Sequence, residues 1–269
     1  MPQSLSIRPI ALCLAAAGWL FYSLLAQAAC STITGSGATK TCAFSGNLTE
    51  GITTSSVNPS ADDSAIITIK PNSSLGSVTL DRAILVDLAT LDITTGGLQM
   101  SGGLHVYSGS VPQPDKNSPD GRDGRALTLN FSNFLSIVSS SARAIDLSEG
   151  APNGYTWACQ FTGAQCNKSG GQGGDGAKFT VNAAGSISST YADRVFNLYS
   201  QGGHGGDASV PFGLLGSGRS GGSGGAGGAL SFLTSAALSI NPSFGDAMVL
   251  QSFGGSGGHG AEGYGGGTG

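Results

Sequence analysis

Apolar residues alternate with polar ones in short runs, and the runs recur. Three segments align: ALTLNFSNFLSIVSSSARAIDLSEG from Ala126, AKFTVNAAGSISSTYADRVFNLYS from Ala177 and ALSFLTSAALSINPSFGDAMVLQS from Ala229, with starts 51 and 52 residues apart. Each contains three runs. The first contributes Leu127/Leu129, Phe179/Val181 and Leu230/Phe232. The second contributes Leu135/Ile137, Ile187 and Leu238/Ile240, and the third Ile145/Leu147, Phe196/Leu198 and Met248/Leu250. Alternation with period two predicts strands with one buried face. No segment carries helical periodicity of comparable quality. Upstream, residues 60–110 hold more runs of the same kind (AIITIK, SVTL, AILVDL, LQM, LHVY).

One unit alone has too few apolar side chains to offset the entropy of ordering its backbone. Stacking unit on unit supplies the missing burial and pairs the backbones. The pattern therefore predicts an all-β fold, a parallel β-solenoid (β-helix) with long Gly-rich loop excursions. Equivalent residues then form columns. Leu147, Leu198 and Leu250 share one inward column, with Leu198 buried between its neighbours. Asn197, one residue away, faces outward and tolerates substitution. Arg143, Arg194 and Asp246 occupy one corner.

The excursions separate the units. Residues 151–176 end in GGQGGDG; residues 201–228 begin QGGHGGDA and end GGSGGAGG; from Phe253 the chain reads FGGSGGHGAEGYGGGTG. As loops without side chains to bury, they predict that deleting Gly221–Gly225 has little effect, because closure entropy changes slowly with loop length.

Composition narrows the function classes. Gly supplies 46 of 269 residues, charged residues only 10%, and the formal net charge is -4. A nucleic-acid binder needs a basic surface, which this composition does not provide. Collagen needs Gly at every third position, whereas here the glycines come in pairs. The N-terminus carries a single charge, Arg8, before an apolar run from Ile10 to Leu25, followed by Ala26-Gln27-Ala28, an A-x-A cleavage pattern. This predicts a secretory signal peptide over residues 1–28 and export of the remainder. The expected organisation is then an N-terminal cap region with a local disulfide over 29–59, irregular solenoid tiers over 60–125, and three repeats of about 52 residues over 126–269, the last incomplete.

After removal of the signal, Cys30, Cys42, Cys159 and Cys166 remain, and three pairings are possible. The local pairing, Cys30–Cys42 with Cys159–Cys166, is favoured, because each pair brackets Gly and polar turn residues. No C-x-x-C occurs and no His lies near either pair, so metal ligation is not expected.

The phrases AMVLQSFGGSGGHG from Ala247 and VFNLYSQGGHGGDA from Val195 resemble the repeats of the Gly-rich passenger regions of bacterial autotransporters, outer-membrane β-barrel proteins. The resemblance covers residues 126–269. It implies a surface-exposed β-helix carried across the outer membrane by a C-terminal β-barrel translocator. No tail of alternating strands of about ten residues follows within this chain, so the barrel is expected but not carried by these residues. It also implies that small disulfide loops pass a narrow secretion pore more readily than large ones, a second reason for local pairing.

G-x-S-x-G matches centre on Ser220, Ser223 and Ser256, but the motif works on a strand-to-helix turn, and Gly continues after each of these. His105, His204 and His259 are isolated in sequence. GGQGGDGAK and GGHGGDASV fit most of a calcium-binding nonapeptide, with Asp175 and Asp207 as ligands, yet the copies are 32 residues apart rather than in tandem. His204/Asp207 and His259/Glu262 share a spacing of three residues. No catalytic, cofactor or metal site is expected from these. The candidate contact loop is Tyr155, Trp157 and Phe161 around the Cys159–Cys166 loop, with Val210, Phe212, Leu214 and Leu215 in the next excursion; the alternative, which apolar residues on loops more often follow, is that they pack back onto the solenoid as a small satellite core. The functional expectation is a non-enzymatic surface stalk or adhesin binding a host or bacterial surface ligand. The alternatives are a secreted β-helix polysaccharide-active enzyme and a Gly-rich extracellular structural protein.

Overall fold

The computed structural model describes residues 30, 32–36, 40–57, 65–86, 88–94, 99–108, 113–132, 135–137, 143–159, 166–189, 193–210, 218–242 and 245–261. The signal-peptide assignment, Phe161, Phe212, Leu214, Leu215 and Glu262 lie outside them.

The fold is all-β and its sheets are parallel. A short strand, β1 (Thr32–Thr34), pairs antiparallel with β2 (Thr41–Leu48), and every other pairing between named strands is parallel. Three strand faces build up in chain order. The first joins β2, β4 (Ile66–Leu75), β6 (Thr90–Thr94), β9 (Leu127–Ser132) and the leading parts of β12 (Phe179–Ser189) and β14 (Leu230–Pro242). The second joins the end of β4 with β7 (Gln99–Met100), β10 (Leu135–Ile137) and the trailing parts of β12 and β14. The third joins β3 (Ile52–Thr53), β5 (Val78–Asp81), β8 (Leu104–Tyr107), β11 (Arg143–Gly150), β13 (Arg194–Gln201) and β15 (Asp246–Phe253). In the last two units the first and second runs fuse into one strand with a register shift near Gly185, where the sequence pattern suggested a break.

Period-two alternation places one side of each strand inward, and parallel pairing superposes like on like. Cys42, Ile67, Leu91, Leu129, Val181 and Phe232 form one register column. Leu80, Val106, Leu147, Leu198 and Leu250 form another, which contains the expected trio. Leu147 and Leu198 are fully buried. Each such side chain contributes roughly 1.5–3 kcal/mol on leaving water.

The outer side carries polar ladders. Asn182 Nδ2 donates to Asn130 Oδ1 at 2.8 Å, and Asn130 Nδ2 donates to Asp92 Oδ1 at 2.5 Å. On the third face Asn197 Nδ2 donates to Asp146 Oδ1 at 2.8 Å, while its own Oδ1 accepts from Arg194. Asn197 is only 2% exposed, which corrects the expectation of a tolerant surface position. Alternation puts it on the outer face, but the residues stacked before it and beside it cover it. Arg143, Arg194 and Asp246 do align at one corner, where Arg143 pairs with Asp146 and Arg194 with Asn197.

The cysteines pair locally, Cys30 with Cys42 and Cys159 with Cys166. The first bond ties the N-terminal hairpin to the core, since Cys42 is fully buried and Cys30 packs against the same cluster.

Candidate functional site

The Gly-rich stretches are ordered. Six segments, I (119–126), II (151–157), III (168–178), IV (202–209), V (219–229) and VI (254–261), lie side by side and bond backbone to backbone. Each segment has a period of three, which matches the three residues per turn of a polyproline II helix. That helix makes no internal hydrogen bonds, so its N–H groups must find partners elsewhere.

They do so in three classes. The first glycine of each triplet donates along its own layer, to the segment two places on. Gly121 and Gly124 donate to Gln172 and Asp175, Gly170 and Gly173 to Ser220 and Ser223, and Gly205 to Ser256. The second glycine donates across to the preceding, antiparallel segment. Gly171 and Gly174 donate to Tyr155 and Pro152, Gly203 and Gly206 to Gly174 and Gly171, Gly222 and Gly225 to Gly206 and Gly203, and Gly255 and Gly258 to Gly225 and Gly222. Segments I, III and V thus form one layer, and II, IV and VI the other.

The third residue points outward, and its N–H is met by the side chain of its counterpart 51 or 52 residues earlier. Asp123 accepts from Asp175 and Asp175 from Ala226; Asn153 accepts from His204; Thr156 accepts from Asp207 and Asp207 from His259. Ser256 N–H donates to His204 Nδ1 at 2.9 Å. This accounting explains why acceptor side chains occupy the outward positions.

Glycine is required here for lack of bulk. Among the described residues the glycines with positive φ are Gly35, Gly46, Gly51 and Gly245, none of them in a segment. A Cβ on Gly173 would lie 2.0 Å from Gly203 O, and one on Gly206 2.1 Å from Tyr155 O. Real Cβ atoms do not approach backbone that closely, so the segments pack at a distance only bare backbone allows. The expectation that the excursions are loops with nothing to bury is therefore overturned: what they bury is backbone.

The two ends of this lattice differ. Pro119, Arg122, Pro152 and Tyr155 stand where the next segments have Gly171, Gly174, Gly203 and Gly206. These bulky residues close the N-terminal edge. Beneath it Arg82 and Glu149 form a buried ion pair, and Arg82 also donates to the carbonyls of Leu88, Arg125 and Ala126. Burial pushes the Glu149 carboxyl up and the Arg82 guanidinium down, and their mutual attraction opposes both shifts. The pair bounds a cavity of about 60 Å³ with Arg122, Arg125 and Pro152.

The expected contact residues come together in part. Tyr155 and Trp157 meet edge to face, with ring centroids 5.0 Å apart, and Lys168 Nζ lies 5.7 Å from the Trp157 ring centroid. Arg219 Nε donates to Asn167 Oδ1 at 2.8 Å close by in sequence. This aromatic and cationic cluster sits at the end of the lattice that carries the Cys159–Cys166 loop.

The other candidates take structural roles. Ser220 and Ser223 offer carbonyls to the lattice, and Asp175 and Asp207 cap N–H groups. His204 and Ser256 touch, but among the described residues no carboxylate engages the other His204 nitrogen. Among the described residues no group of three or more His, Cys, Asp or Glu side chains is placed to hold a metal, and no helix is long and apolar enough to cross a membrane. Sequence reasoning missed segments I and II, whose few glycines hide a triplet phase shared with GGQGGDG and GGHGGDA.

No protein-family model, no curated protein and no solved structure matches the chain.

Proposed function

We propose that this chain is an exported β-solenoid of the autotransporter-passenger kind, a non-enzymatic surface stalk that holds a rigid glycine plate away from its body for adhesion or cell–cell contact. The observation that carries the reading is the stacking of units 51–52 residues apart into continuous parallel faces, with the excursions joined into one ordered lattice. A stalk needs stiffness over distance, and repeated nearest-neighbour interfaces provide it. The polar, weakly charged ladders suit an extracellular surface, as do two disulfides. The Tyr155–Trp157 pair, with Lys168 over the Trp157 ring, is the part of the plate best suited to contact, since aromatic side chains are enriched in recognition surfaces.

The test has two parts. N-terminal sequencing of the exported protein should begin at Ala29, and retention of Met1 contradicts export. Beads coated with the mature chain should bind cells or a glycan array, and a Tyr155→Ala, Trp157→Ala double variant should lose most of that binding. Glycan cleavage by the wild-type chain would contradict the non-enzymatic reading.

A further inference from the structure

The buried Arg82 guanidinium has one donor more than the chain uses. A guanidinium carries five N–H groups. In Arg82 those on Nη1 go to Glu149 and to the Arg125 carbonyl, and those on Nη2 to the carbonyls of Leu88 and Ala126. The fifth, on Nε, is buried and has no hydrogen-bond partner. The whole side chain is only 3% exposed, so bulk water does not serve it. An unpaired buried donor is costly, and more so on a charged group.

A second observation is independent of this count. Arg82 lines the cavity of about 60 Å³ where the turn after β5 meets segments I and II. Two further guanidinium groups line it, those of Arg122 and Arg125. Arg122 is exposed and forms the rim. The two carboxylates in the lining are already engaged. Glu149 is paired with Arg82 and accepts from the Arg125 backbone N–H, and Asp123 accepts from the Asp175 N–H. The lining thus holds three cations and two anions, with a hydroxyl from Ser108 and apolar walls from Ala83 and Pro152.

We propose that this cavity is a binding site for a small oxyanion, a carboxylate or sulfate group, with Arg82 Nε as its buried donor and Arg122 as the cation at its mouth. An arginine offers donors and no acceptor, and its strongest partners are oxyanions. The space exceeds the ~10–15 Å³ that a water needs and falls short of the ~150 Å³ that takes a benzene ring, which suits one such group. A cation is excluded by the three guanidinium groups. The group arrives either as a free ion or as the acidic substituent of a sugar, since the cavity opens to solvent beside Arg122. The inference rests on the donor count and the lining, and it does not depend on the surface-stalk reading.

The test follows the Arg82 Nε–H resonance of the isotope-labelled chain by NMR while sulfate, acetate or glucuronate is added, with chloride at matched ionic strength as control. Sulfate and at least one of the carboxylates should shift it saturably, and chloride should not. Arg122→Gln, which changes an exposed side chain, should keep the melting temperature of the chain and weaken binding about tenfold or more, the worth of a charge-assisted hydrogen bond. Ala83→Leu, which fills the cavity, should abolish the saturable shift while the strand amides keep their resonances. Glucuronate binding about tenfold tighter than acetate assigns the group to an acidic sugar, and equal binding assigns it to a free ion; either result upholds the site. No saturable shift with any oxyanion, an equal shift with chloride, or binding indifferent to both substitutions overturns the proposal.

Discussion

The strand faces and the glycine lattice meet the same requirement by opposite means. Each must satisfy backbone hydrogen bonds out of reach of water. The strands do so with side chains: columns such as Leu80–Val106–Leu147–Leu198–Leu250 fill the interior and hold the backbones in register. The lattice does so by having none, letting backbone pack on backbone at separations that any Cβ would prevent. One region is therefore sensitive to loss of bulk and the other to its gain, and a deletion harms both.

The largest effect is expected from Leu198→Asp. A carboxylate in that fully buried column has no partner, and the cost of several kcal/mol approaches the ~5–15 kcal/mol stability of an ordinary domain. Urea denaturation of the variant should show no folded baseline. Deleting Gly221–Gly225 comes next. It removes five lattice hydrogen bonds, those of Gly222 with Gly206 and Gly258, of Gly225 with Gly203 and Gly255, and of Gly173 with Ser223. At roughly 0.5–1.5 kcal/mol net each, the loss is about 5 kcal/mol. A urea midpoint close to wild type would return the excursions to the status of loops.

Gly206→Val should cost ~3 kcal/mol or somewhat more, the upper range of overpacking, because its Cβ collides with the Tyr155 backbone rather than with a side chain that can move. Asn197→Ala should cost about 1–3 kcal/mol, since it strands Asp146 Oδ1 and leaves a buried gap. The smallest effect belongs to Gly254→Ala, which has room for its methyl. Reduced freedom of the unfolded chain should leave it neutral or stabilising by up to ~1 kcal/mol. A cost comparable to that of Gly206→Val would erase the distinction between the interior of the lattice and its last described segment.

These contrasts also explain what could be read from the sequence. Period-two alternation reports which side chains leave water, so the strands, their 51–52 residue spacing, the Leu147–Leu198–Leu250 column and the Arg143–Arg194–Asp246 corner were legible. Local cysteine pairing was legible from loop size. Hydropathy is blind to glycine, which has no side chain to bury, and so the lattice read as loop. Its signal was a different period: Gly-Gly-x triplets that keep phase across GGQGGDG, GGHGGDA, GGSGGAGG and GGSGGHG. Acceptor residues recur at x, as Asp120, Asp123, Asn153, Thr156, Asp175, His204 and Asp207 do, because each caps the N–H of the next unit. Asn197 was misread because alternation assigns a face and does not say what covers it. In a parallel stack an outward residue lies beneath its neighbours' ladder, and the Arg194 and Asp146 side chains close over this one.

The central claim is that the glycine segments form a hydrogen-bonded body. Residue-resolved amide hydrogen exchange on the mature chain tests it most directly, because neighbouring amides in one segment have two different fates. Gly222 and Gly225 donate into the lattice and should exchange only through cooperative opening, with protection close to that of the β12 and β13 amides. Gly221 and Gly224, one residue away, have no partner among the described residues and should exchange near the rate of an unstructured peptide. Alternating slow and fast amides along 221–225 is the predicted result; uniformly fast exchange through the segment, with the strands still protected, would contradict it.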